Sequence, residues 1–105
     1  MIFLRYYENI ILDKNIESLD LLFNSKFGKI DFYAICVSNI GNGLMEIISV
    51  RNMLKTINQY KDYGIIAVIK GSDNAKELSA KLIEDWLKKN NNLDGFKDYY
   101  NNKCR

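Results

Sequence analysis

The stretch Ser38-Asn39-Ile40-Gly41-Asn42-Gly43 separates two apolar segments and carries two glycines, so its backbone N–H groups could turn toward an anion such as phosphate. A second polar stretch, Lys70-Gly71-Ser72, follows the apolar run Ile65-Ile66-Ala67-Val68-Ile69. Asn39, Gly41, Asn42, Gly43, Lys70 and Ser72 would together make a ligand-binding set for a nucleotide or a small phosphorylated molecule, provided the fold brings both loops to one end of a sheet. The match to known phosphate loops is incomplete. Leu44 to Val50 contains no glycine, so the third glycine of a dinucleotide fingerprint is missing. Lys70-Gly71-Ser72 resembles a Walker sequence in composition but lacks the glycine loop before it. The simpler expectation is a hairpin turn at 38–43, with Asn42-Gly43 at its tip, and a helix capped by Ser72.

The carboxylates offer less. Glu84 and Asp85 are adjacent on an expected helix and point about 100° apart, so they do not converge on one atom. Asp13, Glu17 and Asp20 could share one helix edge, but a cation there needs more oxygen ligands than this spacing supplies, and no metal site is expected. Glu46 has apolar neighbours on both sides. Buried, it would be a candidate acid with a raised pKa, although an outward-facing strand position is the expectation. The chain has no histidine, which removes His-based acid–base catalysis, Ser-His and Cys-His nucleophile pairs and most catalytic zinc sites. Its cysteines, Cys36 and Cys104, are too few and too far apart for a disulfide framework. Cys36, inside Phe32–Val37, reads as a small buried apolar residue, and Cys104 as a free thiol in a loose tail. No catalytic residue and no cofactor is assigned, and an enzyme is not the favoured reading.

Twelve of the thirteen aromatic residues are Tyr or Phe, with doublets at Tyr6-Tyr7, Phe32-Tyr33 and Tyr99-Tyr100. The segment Leu44–Val50 has no aromatic residue, which disfavours RNA stacking on a third strand. The tail Leu93, Phe96, Tyr99, Tyr100 repeats at three- or four-residue steps, so residues 93–105 read as a tail or a short docking helix. Phe96, Tyr99 and Tyr100 are its candidate partner-contact residues.

These residues sit in a chain of 105, long enough for one domain covering 1–105. Hydrophobic residues make up 48% and charged residues 27%, which is the balance of a globular protein rather than a disordered one. The net charge is +2, and neither half is strongly basic, so no nucleic-acid partner is expected. The N-terminal residues lack the basic and small-residue features of a signal peptide, and no apolar run approaches the roughly 18 residues of a membrane span. A soluble cytoplasmic protein without a membrane partner is expected.

The pattern predicts strands at Ile2–Tyr7, extending toward Leu12 with a bend at Glu8-Asn9, and at Ile30–Val37, Leu44–Val50 and Ile65–Ile69. It predicts helices from Ile16 to Phe27, capped by Asp13 or Asn15, from Arg51 to Lys61, and from Ser72 to Lys89, with Trp86 on the face that packs on the sheet. This order is βαββαβ with an extra C-terminal helix. It reads as an α+β, ferredoxin-like antiparallel sheet with helices on one face. If 44–61 were one helix, the order would instead be a small three-layer α/β domain with a parallel sheet. The leading functional expectation is a small non-enzymatic binding or regulatory module that acts by contact with a protein partner or by self-association as a homodimer. The alternative is a nucleotide- or small-molecule-binding α/β domain using the loops at 38–43 and 70–73. A sheet edge is a second contact surface in the first reading, because an open four-stranded sheet leaves unpaired backbone groups.

Overall fold

A computed structural model describes residues 4–24, 31–38 and 43–105. The chain runs β1 (Arg5–Leu12), α1 (Leu19–Asn24), β2 (Phe32–Val37), β3 (Glu46–Ser49), α2 (Val50–Lys55), a 3₁₀ turn (Ile57–Tyr60), β4 (Gly64–Lys70), α3 (Ser72–Asn90) and α4 (Phe96–Asn102). It is a mixed α+β structure on a four-stranded sheet of order β1-β4-β2-β3. The two uninterrupted apolar runs, β2 and β4, form its centre. Strands without polar alternation must bury both faces, and only central strands can do so.

The sheet is not the ferredoxin-like one expected. β2 pairs antiparallel with β3 and with β4, but β1 pairs parallel with β4, so the sheet is mixed. Helices also cover both faces. Phe32, Ala34 and Cys36 of β2 pack with Leu22, Phe23, Val50 and Met53 of α1 and α2. Ile35 and Val37, pointing the other way, pack among Ala75, Leu78 and Leu82 of α3. The continuous apolar runs require this second cover, which an arrangement with helices on one face would leave bare. The three-layer alternative is matched in its layers and contradicted in its all-parallel sheet.

Leu44–Val50 is a strand in its centre. Cys36 faces Glu46 and Tyr33 faces Ser49 across the β2–β3 pair. The strand stops where Ser49 takes a non-helical backbone and its Oγ accepts the Asn52 N–H at 3.3 Å, the N-cap that starts α2 at Val50. The helix expected to reach Lys61 stops at Lys55. Thr56 Oγ1 donates to the Asn52 carbonyl at 3.1 Å, a local bond that competes with the helical ladder, and a 3₁₀ turn follows.

β1 bends where Glu8-Asn9 suggested. Tyr6 pairs with Ile65 and Ile11 with Ala67, so residues 7–10 stand opposite Ile66 alone. Beside the bend, Lys103–Arg105 lies along the outer edge of β1. Tyr6 and Arg105 exchange two backbone bonds of 3.0 and 2.9 Å, and the Glu8 N–H donates to the Lys103 carbonyl. Cys104 is therefore not in a loose tail. It is only 8% exposed, and its Sγ fills the space left by the missing side chain of Gly64, where a Cβ would collide with it and crowd Val37.

The cap readings also change. Asp13 ties the ends of β1 and β4 together: its Oδ1 accepts from the Asn15 N–H at 2.9 Å and its Oδ2 from the Lys70 N–H at 3.0 Å. These bonds hold its carboxyl below the usual carboxylate range. Ser72 is the first residue of α3 rather than its cap. Gly71 occupies the cap at φ 88°, a conformation that favours glycine. α3 ends on left-handed Asn91, whose N–H reaches the Leu87 carbonyl at 2.8 Å. No helix among the described residues is long and apolar enough to cross a membrane.

Candidate functional site

The two polar loops do not converge. β2 and β4 run antiparallel, so Ser38, at the end of β2, and Lys70, at the end of β4, lie at opposite ends of the pair, about 20 Å apart along the strands. Asn39, Gly41 and Asn42 lie outside the described residues, and Gly43 is exposed beside them. At the other loop two backbone donors are already used. The Lys70 N–H donates to the Asp13 carboxylate and the Gly71 N–H to the Asp31 carbonyl at 2.6 Å. A carboxylate at that point also repels an anion.

Glu46 is not outward-facing. It is half-buried opposite Cys36, and its Oε2 has neither solvent access nor a partner among the described residues. The Tyr63 hydroxyl lies against it and against Ser38. The bond to Glu46, then burial, push the tyrosine's pKa up. Burial first, then the Glu46 charge, push the Cys36 thiol far above its ordinary value, so it stays protonated and unreactive. This polar cluster ties β2, β3 and the start of β4 together and presents no nucleophile. Among the described residues no three His, Cys, Asp or Glu side chains gather as metal ligands.

The third candidate, the aromatic tail, builds a cleft. α3 has 19 residues, about 28 Å, and its turns from Ala75 to Leu82 cover the sheet. Trp86 and Leu87 come one turn later. Trp86 therefore packs not on the sheet, as expected, but on α4, which folds back beneath it. Its ring lies 5.5 Å from Phe96 and 5.4 Å from Tyr99, centroid to centroid. Tyr100 stands 5.0 Å from both Phe96 and Tyr99, and Tyr7 of β1 completes the cluster at 5.2 Å from Tyr100. These tilted and edge-on pairs suit the ring quadrupoles. Gly95, at φ 80°, makes the reversal into α4.

The three expected contact residues divide. Phe96 is 0% exposed and serves its own fold, Tyr100 is half-buried, and Tyr99 is 40% exposed. Between α3 and α4 remains a cleft of about 410 Å³ lined by Leu82, Asp85, Trp86, Lys89, Tyr99 and Tyr100. The indole N–H of Trp86 is buried without a partner among the described residues, at a cost of about 1–3 kcal/mol. Burial, then Tyr7, Tyr99 and Asp85, push the Tyr100 pKa up. Asp85, Trp86 and Lys89 were missed from the sequence as site residues. They sit on a helix face that reads as ordinary packing and solvation until α4 is placed against it.

No protein-family model, curated protein or solved structure matches this chain.

Proposed function

We propose that the protein is a non-enzymatic binding or regulatory module, cytoplasmic, that works by protein–protein contact through the α3–α4 corner, with a second copy of itself among the possible partners. One observation carries this reading. Of the four large apolar side chains exposed among the described residues, Leu87 (39%), Leu93 (37%) and Tyr99 belong to that corner. Tyr99 lines the cleft itself, Leu87 and Leu93 are exposed near the same end of α3, and exposed apolar side chains next to charged ones are the usual composition of an interface. Tyr and Trp are the residues that most often dominate contact energies. The nucleotide-binding alternative loses support from the antiparallel β2–β4 pair, which separates its two loops.

A photoreactive phenylalanine analogue placed at residue 99, and separately at the exposed Tyr6, tests the reading in the cells that make the protein. The expected outcome is a discrete higher-mass adduct from position 99 and none from position 6, twice the chain mass indicating self-association. No adduct at 99, or the same adduct from both positions, overturns it.

A further inference from the structure

The α3–α4 cleft combines aromatic rings with an acidic group that has no ion partner among the described residues. Trp86, Tyr99 and Tyr100 line it together with Asp85. Asp85 forms none of the ion pairs among the described residues, whereas its neighbour Glu84 pairs with Lys88 at 3.3 Å. The ring cluster already attracts one cation of its own chain, since the Lys103 ammonium stands 5.2 Å from the Tyr99 centroid. Resting on the protein-contact reading, we propose that the cleft seats an arginine side chain of the partner protein, its guanidinium laid against the aromatic rings and paired with the Asp85 carboxylate.

Arginine fits these groups better than other occupants do. Its guanidinium is planar, stacks on aromatic faces and sheds water more easily than an ammonium. A carboxylate would have to approach the negative faces of the rings and Asp85 in order to reach Lys89. A purely apolar side chain would cover Asp85 without giving it a partner. Lys89, four residues after Asp85 on the same face, opposes the arginine and limits its affinity. The two charged residues should therefore act in opposite directions on binding.

The test uses the pentapeptide acetyl-Gly-Gly-Arg-Gly-Gly-amide, with versions carrying lysine, citrulline or glutamate at the centre. The readout is the fluorescence of Trp86, the chain's single tryptophan. Saturable quenching is expected for the arginine peptide, weaker for lysine and absent for citrulline and glutamate. Asp85→Asn should weaken arginine binding about fivefold and Lys89→Ala should tighten it about twofold. Both substitutions fall on exposed helix positions, and unchanged melting confirms the fold. Equal binding of citrulline, preference for glutamate, tighter binding of tetramethylammonium than of the arginine peptide, or loss of binding in both variants overturns the arginine. The crosslink at position 99 separates the two claims. A crosslink that persists undiminished in Asp85→Asn overturns the arginine and leaves the contact reading standing, whereas its absence in the unaltered protein overturns the contact reading itself.

Discussion

The two faces of the sheet are closed in different ways. The α1/α2 side is mainly aliphatic: Leu22, Val50, Met53 and Val68 pack with Phe23 and Phe32, all buried, and Glu46 is turned inward against Tyr63. The α3/α4 side is aromatic, and its apolar surface continues past the sheet to Leu87, Leu93 and Tyr99 at the rim. The difference comes from length. α2 has six residues and ends over the strands it covers, while α3 outruns them and needs α4 to shelter Trp86. The α1 side also leaves apolar surface open, at Tyr6 beside β1 and α1, but the α3/α4 side carries it on a helix that runs past the sheet.

The comparison breaks first at the buried anchors of each side. Phe96→Ala should cost about 3–5 kcal/mol and Met53→Ala about 2–5 kcal/mol in urea unfolding, since both side chains are 0% exposed. A Phe96→Ala loss below about 1 kcal/mol would make α4 an appendage instead of part of the fold.

Gly64→Ala comes next. Its new methyl meets the Cys104 Sγ and Val37, so a loss of about 1–3 kcal/mol is expected. No loss would mean that residues 103–105 leave the β1 edge at little cost. The accompanying check is thiol labelling of the folded protein, which should be slow at both cysteines and become faster at Cys104 alone in the variant.

Asp13 gives a smaller, pH-dependent effect. Its folded pKa lies below the unfolded value, so its contribution is present above about pH 4 and fades as pH falls through the folded pKa. Asp13→Asn should lose about 1 kcal/mol at pH 7, with the gap to the unaltered protein closing as pH falls through the folded pKa. A gap that is constant with pH would mean that the amide replaces the carboxylate fully or that the bonds to Asn15 and Lys70 are not charge-assisted.

The smallest effect sharpens the comparison. Leu87→Gln, at the overshooting rim, should change stability by within about 0.5 kcal/mol while reducing the crosslink at position 99. A large stability loss there would move Leu87 into the core and remove it from the contact surface.

Much of the architecture was legible because it follows from local rules. The apolar runs at Ile30–Val37 and Ile65–Ile69 read as strands, and the boundary at Val50 as a switch from strand to helix. The shortfalls came where a distant group decides. Thr56 ends α2 through a side-chain bond that the apolar stripe over 50–60 does not reveal. Asp13 looked like a helix cap because one of its two backbone partners, the Lys70 N–H, is 57 residues away. Phe96, Tyr99 and Tyr100 were recognised as a unit, but how they divide between core and surface depends on which turn of α3 they meet.

Residue types alone determined that this chain has no histidine chemistry, no disulfide framework and two continuous apolar strands, since composition and the period of apolar residues act within a few positions. Only the tertiary structure decided that β1 joins β4 in parallel, that the polar loops lie at opposite ends, and that Asp85, Trp86 and Tyr99 face one cleft. These are pairings between segments far apart in sequence. Strand order and helix contact are settled by which covering of the whole apolar surface leaves the least exposed, a sum over the entire chain that no local pattern contains.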